Sequence, residues 1–375
     1  MVGVSEKSDA LFFRNCSLKW AMPFCVYIDS IINETTNTTK NSKEKIIMVE
    51  NSINIATVNQ QVLDFQKGKL TTAQYGEGIV LLKNFSKGTT GSGNPKFAGV
   101  VSNMEEAKFQ VWNNKPAFDF LETTNLVAGE SVVRIKYEIG KFGLVINSME
   151  LLEGYNPDDF IAHRYDISEK EKEFCEAVKA SGATQKAIDI IKMVLHMESK
   201  DDVVARVYRE FAALSHHDNC QTGLLAHMTK CIQLYNGIKV PYEFLKDEKN
   251  NDLMVIALAI HDIGKIFEMY NGTYQKYSFV THRGLGMEYL LDYKNAIIDA
   301  YDEEFFYMLY SVVQQHHDEY GEGARTLYAF LAHMIDDMDA TFSSIDEMIH
   351  NKEYTTDDAG TKMKLNDRYL NICVE

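Results

Sequence analysis

Proline and glycine are scarce, at 5 and 22 of 375 residues, which argues against long disordered tracts and leaves a chain expected to fold throughout. The six cysteines, at positions 16, 25, 175, 220, 231 and 373, contain no CxxC pair. That spacing argues against a zinc ribbon or a disulfide framework and fits reduced thiols of a cytoplasmic protein, each filling core or surface space. No apolar run is clean enough for a membrane helix or a signal-peptide core, because Arg14, Lys19, Pro23 and Asp29 interrupt the stretch from Leu11 to Ile32. No targeting segment is evident, and the cytoplasm is the expected address. Basic charge is also short: 38 Lys and Arg face 54 Asp and Glu, a formal net charge of −16. Lys and Arg neutralising phosphates supply most non-specific affinity for nucleic acid, so a broad grip on a long polyanion is disfavoured and any such contact has to be local.

What is present is the composition of a soluble globular protein, 45% apolar and 25% charged, in a chain longer than one core usually needs. Two domains and an extension are expected. Residues 1–72 form an N-terminal extension without legible chemistry, its run Asn33–Lys45 (NETTNTTKNSKEK) biased as a solvated loop is. Residues 73–154 break into short β-rich segments, GIVLLKNF, KFAGVVS, AKFQVWN, ESVVRIKYEI and GLVINSMEL, divided by turn clusters. Five strands in about 80 residues predict a small closed β-barrel of the OB type. Residues 155–200 form a helical connector, in which Ser168 with Glu171 predicts a capping box and Ala183–Met197 carries a second apolar period. Residues 201–355 form a helical bundle with apolar stripes over 221–236, 251–269, 301–315 and 324–349, and 356–375 are a tail. The expected fold class is multidomain α+β, an OB-like barrel followed by an all-α bundle, with no internal repeat.

Nine of the eleven histidines fall between positions 216 and 350, several beside carboxylates. In LAIHDIGK, His261 and Asp262 lie where an apolar helix meets a glycine, and burying both groups is costly unless a divalent cation compensates them. Further elements recur at helical positions: His227 in GLLAHMTK, His282 in VTHRGLG, His316 and His317 in VVQQHHDEYG, and Asp336 with Asp339 in HMIDDMDA. Imidazoles and carboxylates from separate helices suit a two-metal site, in which a water deprotonated near neutral pH attacks phosphorus.

The order His227, His261–Asp262, Asp336 resembles the H…HD…D signature of the HD-domain metal-dependent phosphohydrolases, with HDIGK its most specific piece. The barrel ahead of it, SHHDNCQTGLLAH leading to the first ligand, HMIDDMDA at the last and a terminal LNDRYL look like the bacterial 3′–5′ exoribonuclease family called YhaM, over about residues 73–370. Thr222 departs from that family, which usually has glycine there. The resemblance implies that His227, His261, Asp262 and Asp336 hold a first metal, Asp262 bridging to a second completed by His282, His316 and His317. It also implies that Lys265 and Asp262 take part in catalysis, with Lys265 on the scissile phosphate, and that Asp339 supports the ligands or replaces Asp336 as one. Two divalent ions are implied, Mn²⁺ first, with Fe, Co or Mg as alternatives.

Blander roles compete with these. An HD dipeptide alone arises by chance, whereas an ordered set of ligand elements on predicted helices does not. His216 and His217 either line the cleft or cap the following helix, His333 packs or supports a ligand, and His163, His196 and His350 read as surface residues. In the barrel, Lys83, Lys96, Phe97 and Trp112 are candidate nucleic-acid contacts. The competing role of aromatics such as Phe97, Phe109 and Trp112 is to fill the interior. Residues 75–152 carry eight Lys/Arg and eight Asp/Glu, so a polyanion would dock most tolerably on this neutral module. The expected function is metal-dependent phosphodiester hydrolysis, single-stranded RNA or a short oligonucleotide being degraded from its 3′ end. The alternatives are an HD hydrolase of a small cyclic or linear signalling nucleotide and a non-catalytic adaptor with a structural bundle, against which Lys265 argues. No membrane partner is expected, and a homo-oligomer is compatible with the sequence.

Overall fold

The computed structural model describes residues 53–197, 203–214, 218–317, 323–350, 354–357, 360–365 and 368–373. His216 and His217 lie outside them, as do Cys16, Cys25 and the Asn/Thr run. The described chain is mixed α and β, with a five-stranded sheet and many helices. Its strands are β1 (Gln74–Thr89), β2 (Pro95–Asn103), β3 (Glu105–Trp112), β4 (Val132–Gly140) and β5 (Gly143–Leu151). They close in the order β1-β2-β3-β5-β4, with antiparallel neighbours except for a parallel contact at Phe109 and Leu144. Alternate side chains point inward, so Val80, Leu82, Val101, Phe109, Val133, Ile135 and Ile146 share one core. Helix α1 (Ile55–Gln66), capped by Asn54 accepting from the Thr57 amide, adds Ile55 and Val58 to that core. Helix α2 (Pro116–Thr123) opens on a proline that pre-sets its backbone and contributes Phe118 and Leu121.

Two of the four barrel residues proposed as nucleic-acid contacts are buried. Phe97 is 6% exposed, its ring 5.0 Å from that of Phe118, which is the core-filling role. Lys83 is 2% exposed because the β1–β2 register slips between Leu82 and Asn84, and the extra residue turns its side chain off the ladder. Its ammonium meets Glu106 and lies 4.3 Å from the centre of the Phe211 ring, so it joins barrel to bundle instead of facing solvent. Lys96 and Trp112 are partly exposed register partners, with the Lys96 ammonium 5.7 Å from the Trp112 ring and the Phe142 ring 5.4 Å from it on another side.

The helices follow in chain order: α3 (Ile167–Ala180), α4 (Gln185–Val194), α5 (Gly223–Ile238), α6 (Glu248–Ile260), α7 (Lys265–Glu268), α8 (Thr281–Leu291), α9 (Lys294–Ala300), α10 (Glu303–Gln315) and α11 (Leu327–His350). The cap of α3 is Asp166, which accepts from the Glu169 amide, so the cap lies two residues before the Ser168 expected to supply it. Helix α6 is buried on every side from Asn251 to Ile260 and packs against α4, α5, α10 and α11, which makes it the axis of the bundle. The predicted stripe 251–269 does not run as one helix: it stops at His261, turns through Gly264 and resumes as the short α7. A hairpin of β6 (Met269–Tyr270) and β7 (Thr273–Tyr274) follows, so the bundle is not all-α. The tail is also ordered into an antiparallel sheet of β8 (Tyr354–Asp357), β9 (Gly360–Leu365) and β10 (Arg368–Asn371). Among the described residues no helix is long and apolar enough to cross a membrane.

The hairpin ties the two halves together. The Thr273 hydroxyl donates to the Lys83 carbonyl at 2.8 Å, and the buried Glu210 carboxylate accepts from the backbone amides of Phe211, Asn271 and Gly272 at 2.9–3.2 Å. Those donors meet the requirement a buried carboxylate imposes.

Thr222, which precedes α5, has φ 67°, a left-handed conformation unfavourable for a β-branched residue, and its buried hydroxyl has no hydrogen-bond partner. Glycine adopts that conformation freely, which is the physical sense of the residue expected there. Thr222→Gly is expected to stabilise the protein by on the order of 1 kcal/mol. A urea midpoint that stayed level or fell would refute the strain argument.

Candidate metal centre

Five elements bring their polar side chains to one end of α6. His261 caps that helix and Asp262 lies in the turn beyond it. His227 comes from α5, His282 from the first turn of α8, His316 and His317 from the end of α10, and Asp336 with Asp339 from α11. The turn closes tightly only because residue 264 is glycine: a Cβ there would stand 1.8 Å from the His282 carbonyl oxygen and 2.6 Å from the Gly286 amide nitrogen. This approach lays α8, and with it His282, against Asp262.

The Asp262 carboxylate divides the centre in two. Its Oδ2 lies 3.5 Å from both His227 Nε2 and His261 Nε2, while its Oδ1 lies 3.5 Å from His316 Nε2 and 3.6 Å from His282 Nε2. Asp336 Oδ1 stands 3.2 Å from His227 Nε2 on the first side, and His317 Nε2 stands 2.9 Å from His282 Nε2 on the second. Two groups of ligand atoms lie on the two sides of this division, each within 4.8 Å: His227, Cys231, His261 and Asp336, and Asp262, His282, His316 and His317; a third such group joins His227 to Asp218 and Asp339. Such buried clusters could hold metal ions.

Two observations bear on that fit. Asp262 Oδ1 and His316 Nε2 are buried with no hydrogen-bond partner, an arrangement that costs free energy unless an unshown group satisfies both. The protonation states also suit cation capture, which needs neutral imidazoles and ionised carboxylates. Burial pushes His261 down to about 4. Burial, with His316 alongside, pushes His317 down to about 3. Burial would raise the Asp262 carboxyl, but the Lys265 ammonium, followed by His261 and the other imidazoles, outweighs it and holds the group well below the usual carboxylate range. His227 differs: burial pulls it down, yet its neighbours Cys231, Asp336 and Asp339 hold it well above the ordinary histidine range. The two carboxylates carry that effect near pH 7, because burial pushes the Cys231 thiol up to about 11 and keeps it neutral.

Asp336 and Asp339 take opposite sides of one imidazole. Asp336 faces His227 Nε2, toward the cluster, whereas Asp339 Oδ2 accepts from His227 Nδ1 at 2.7 Å, behind it. The pair therefore fixes the ring so that Nε2 points inward. Glu268 does the same for His282, accepting from its Nδ1 at 3.0 Å. Lys265 donates to Asp262 Oδ2 at 2.6 Å and reaches the same centre. His333 Nδ1 lies 2.9 Å from the His316 carbonyl oxygen, bracing the end of α10. Glu268 and Cys231 escaped the sequence analysis. Cys231 lies one helical turn from His227, a spacing that puts both on one face, and Glu268 lies one turn from Lys265.

With this geometry in view, similarity to known proteins becomes informative. The chain is similar to a Listeria welshimeri protein named 3′-5′ exoribonuclease YhaM, 22% identical over 310 residues that cover 78% of this chain and 92% of the relative. A Listeria monocytogenes protein of the same name matches with the same identity and coverage, and one from Listeria innocua is 22% identical over 313 residues. No family model matches the chain, and no solved structure matches it. The relatives' names support a nuclease function, hydrolytic in class.

Proposed function

We propose that the chain is a divalent-metal-dependent phosphodiesterase of the HD type that shortens single-stranded RNA or short oligonucleotides from the 3′ end. The observation that carries this reading is the division of the Asp262 carboxylate between two histidine groups, one oxygen facing each. His227, His261 and Asp336 would hold one cation, His282, His316 and His317 the other, and Asp262 both. When bound, two divalent cations, Mn²⁺ in the first place, supply a nucleophile from water near neutral pH and offset charge on the phosphoryl group. Asp339 and Glu268 hold the His227 and His282 rings in the required orientation. Lys265, paired with Asp262, brings a positive charge to the place where a non-bridging phosphate oxygen would sit. His227 has to give up its proton before its Nε2 can act as a ligand, so activity falls on acidification. The closed barrel, taken as an OB-type module, would guide the strand over its partly exposed Lys96 and Trp112, and the cytoplasm is the compartment this implies.

Purified protein with Mn²⁺ is expected to release nucleoside monophosphates from the 3′ end of a 5′-labelled single-stranded oligoribonucleotide. An oligomer left intact while cyclic or linear dinucleotides are consumed would replace this reading with a small-nucleotide hydrolase, the alternative that the net charge of −16 favours. Failure on every phosphodiester would leave the adaptor.

A further inference from the structure

The centre is sealed on one side and open on the other. The side chains of His227, His261, Asp262 and His316 are at most 2% exposed, whereas His282 and Asp336 are 13% and 19% exposed. The accessible edge of the centre is therefore the one that carries His282, at the start of α8, and Asp336, on α11. The segment leading into α8 carries Tyr274, Tyr277 and Phe279, which are 58%, 57% and 77% exposed. It is not a loose loop. The Gln275 amide donates to the Glu268 carbonyl at 2.8 Å, the Ser278 amide to the Gln275 carbonyl, and the Val280 amide to the Tyr277 carbonyl. Glu268 is the residue that orients His282, so the same short stretch fixes both the ring-bearing turn and the ligand. Phe279 lies three positions before His282, which limits their Cα separation to ~11 Å.

We infer that Phe279 and Tyr277 form a stacking subsite for unpaired bases next to the scissile phosphate, and that this subsite, more than charge, gives the chain its hold on a single strand. The inference rests on the hydrolase reading above. The two rings meet edge to face, centroids 6.1 Å apart at 73°, so stacking against each other does not use up their faces. The Lys276 ammonium lies 5.2 Å from the Tyr277 ring and places a cation where a strand's phosphate would pass. The chemistry of the whole chain points the same way: at a net charge of −16 a polyanion is repelled at long range, so a short-range attraction has to supply the affinity. Aromatic faces do so without regard to base identity.

The test compares steady-state kinetics on a single-stranded oligoribonucleotide with those on an abasic oligomer of the same length, a phosphodiester chain without bases, for wild type, Phe279→Ala, Tyr277→Ala and Phe279→Trp in Mn²⁺. Each alanine variant is expected to raise KM for the oligomer by about 10- to 100-fold. Kinetics on the abasic oligomer should not change, and Phe279→Trp should keep the wild-type KM for the base-bearing oligomer. An oligomer lacking its terminal bases should show the raised KM with wild-type protein. An unchanged oligomer KM in both alanine variants overturns the inference while leaving the hydrolase intact. So does a wild-type dimer, measured by sedimentation, that Phe279→Ala converts to monomer without altering KM, since the rings then serve a second copy of the chain. A wild-type protein inactive on both substrates defeats the hydrolase reading, and the inference falls with it.

Discussion

Asp262→Asn should reduce phosphodiester hydrolysis by at least ~10³-fold, an effect equivalent to about 4 kcal/mol of transition-state stabilisation. The substitution conserves shape but removes the charge and one of two oxygens that face separate histidine clusters. An amide offers a nitrogen to one of those clusters, and a nitrogen carrying two hydrogens cannot ligate a cation there. The cluster that meets the nitrogen should then lose its metal and the other, facing a neutral oxygen, should hold its metal more weakly, which elemental analysis of the purified variant would register. The Lys265 ammonium also loses its 2.6 Å partner and remains nearly enclosed, so some stability should go as well. Asp339→Asn supplies the comparison: its carboxylate meets the outward nitrogen of His227 and accepts from the Ser343 hydroxyl at 3.0 Å, away from the inward nitrogens of the centre, and its cost should stay within about 10- to 100-fold. An Asp262→Asn protein that kept the metal content of wild type would defeat the bridging assignment.

The second large effect is expected at a residue that touches no cation. Gly264→Ala adds a single carbon, yet that carbon would lie 1.8 Å from one backbone atom of α8 and 2.6 Å from another. Backbone has no rotamer with which to step aside, so α8 has to move away from the turn and take His282 with it. The expected result is a loss of the second cation with the first retained, a fall in hydrolysis of at least ~10²-fold, and a stability loss of about 1–3 kcal/mol from overpacking. Metal stoichiometry beside a denaturation curve checks this. Full occupancy with full activity would mean that α8 can shift without moving its histidine. The backbone dihedrals of Gly264 are helical, φ −64°, so the requirement is one of approach and not of conformation.

These two residues also show what the sequence discloses and what it withholds. The barrel strands were legible because alternation of apolar and polar residues is a local signal, and the five predicted segments match β1 to β5 in order. The histidines and aspartates of the centre were legible because imidazole beside carboxylate on an apolar helix calls for compensation, and the structure brings His227, His261, Asp262, His282, His316, His317 and Asp336 together. The different duties of Asp336 and Asp339 were not, since two carboxylates on one helix can be told apart only by which nitrogen of a distant imidazole each one meets. Lys83 looked like a surface lysine on a strand because a one-residue slip in register leaves no mark in composition. Phe97 and Trp112 look alike in an alternating pattern, and only closure of the barrel shows that one faces inward and the other outward. Glu268 stayed hidden because its partner, His282, lies beyond an intervening hairpin.

The joint made by that hairpin means that the barrel is no detachable module. Excising it would strip the carbonyl of Lys83 of the Thr273 hydroxyl and leave its ammonium without the Phe211 face, while the remaining bundle would keep the hairpin but present its threonine to water. Swapping in a foreign barrel would fail for the same reason unless the graft carried a bulged lysine at the matching place. One irregular residue on one strand thus helps make barrel and bundle a single folding unit.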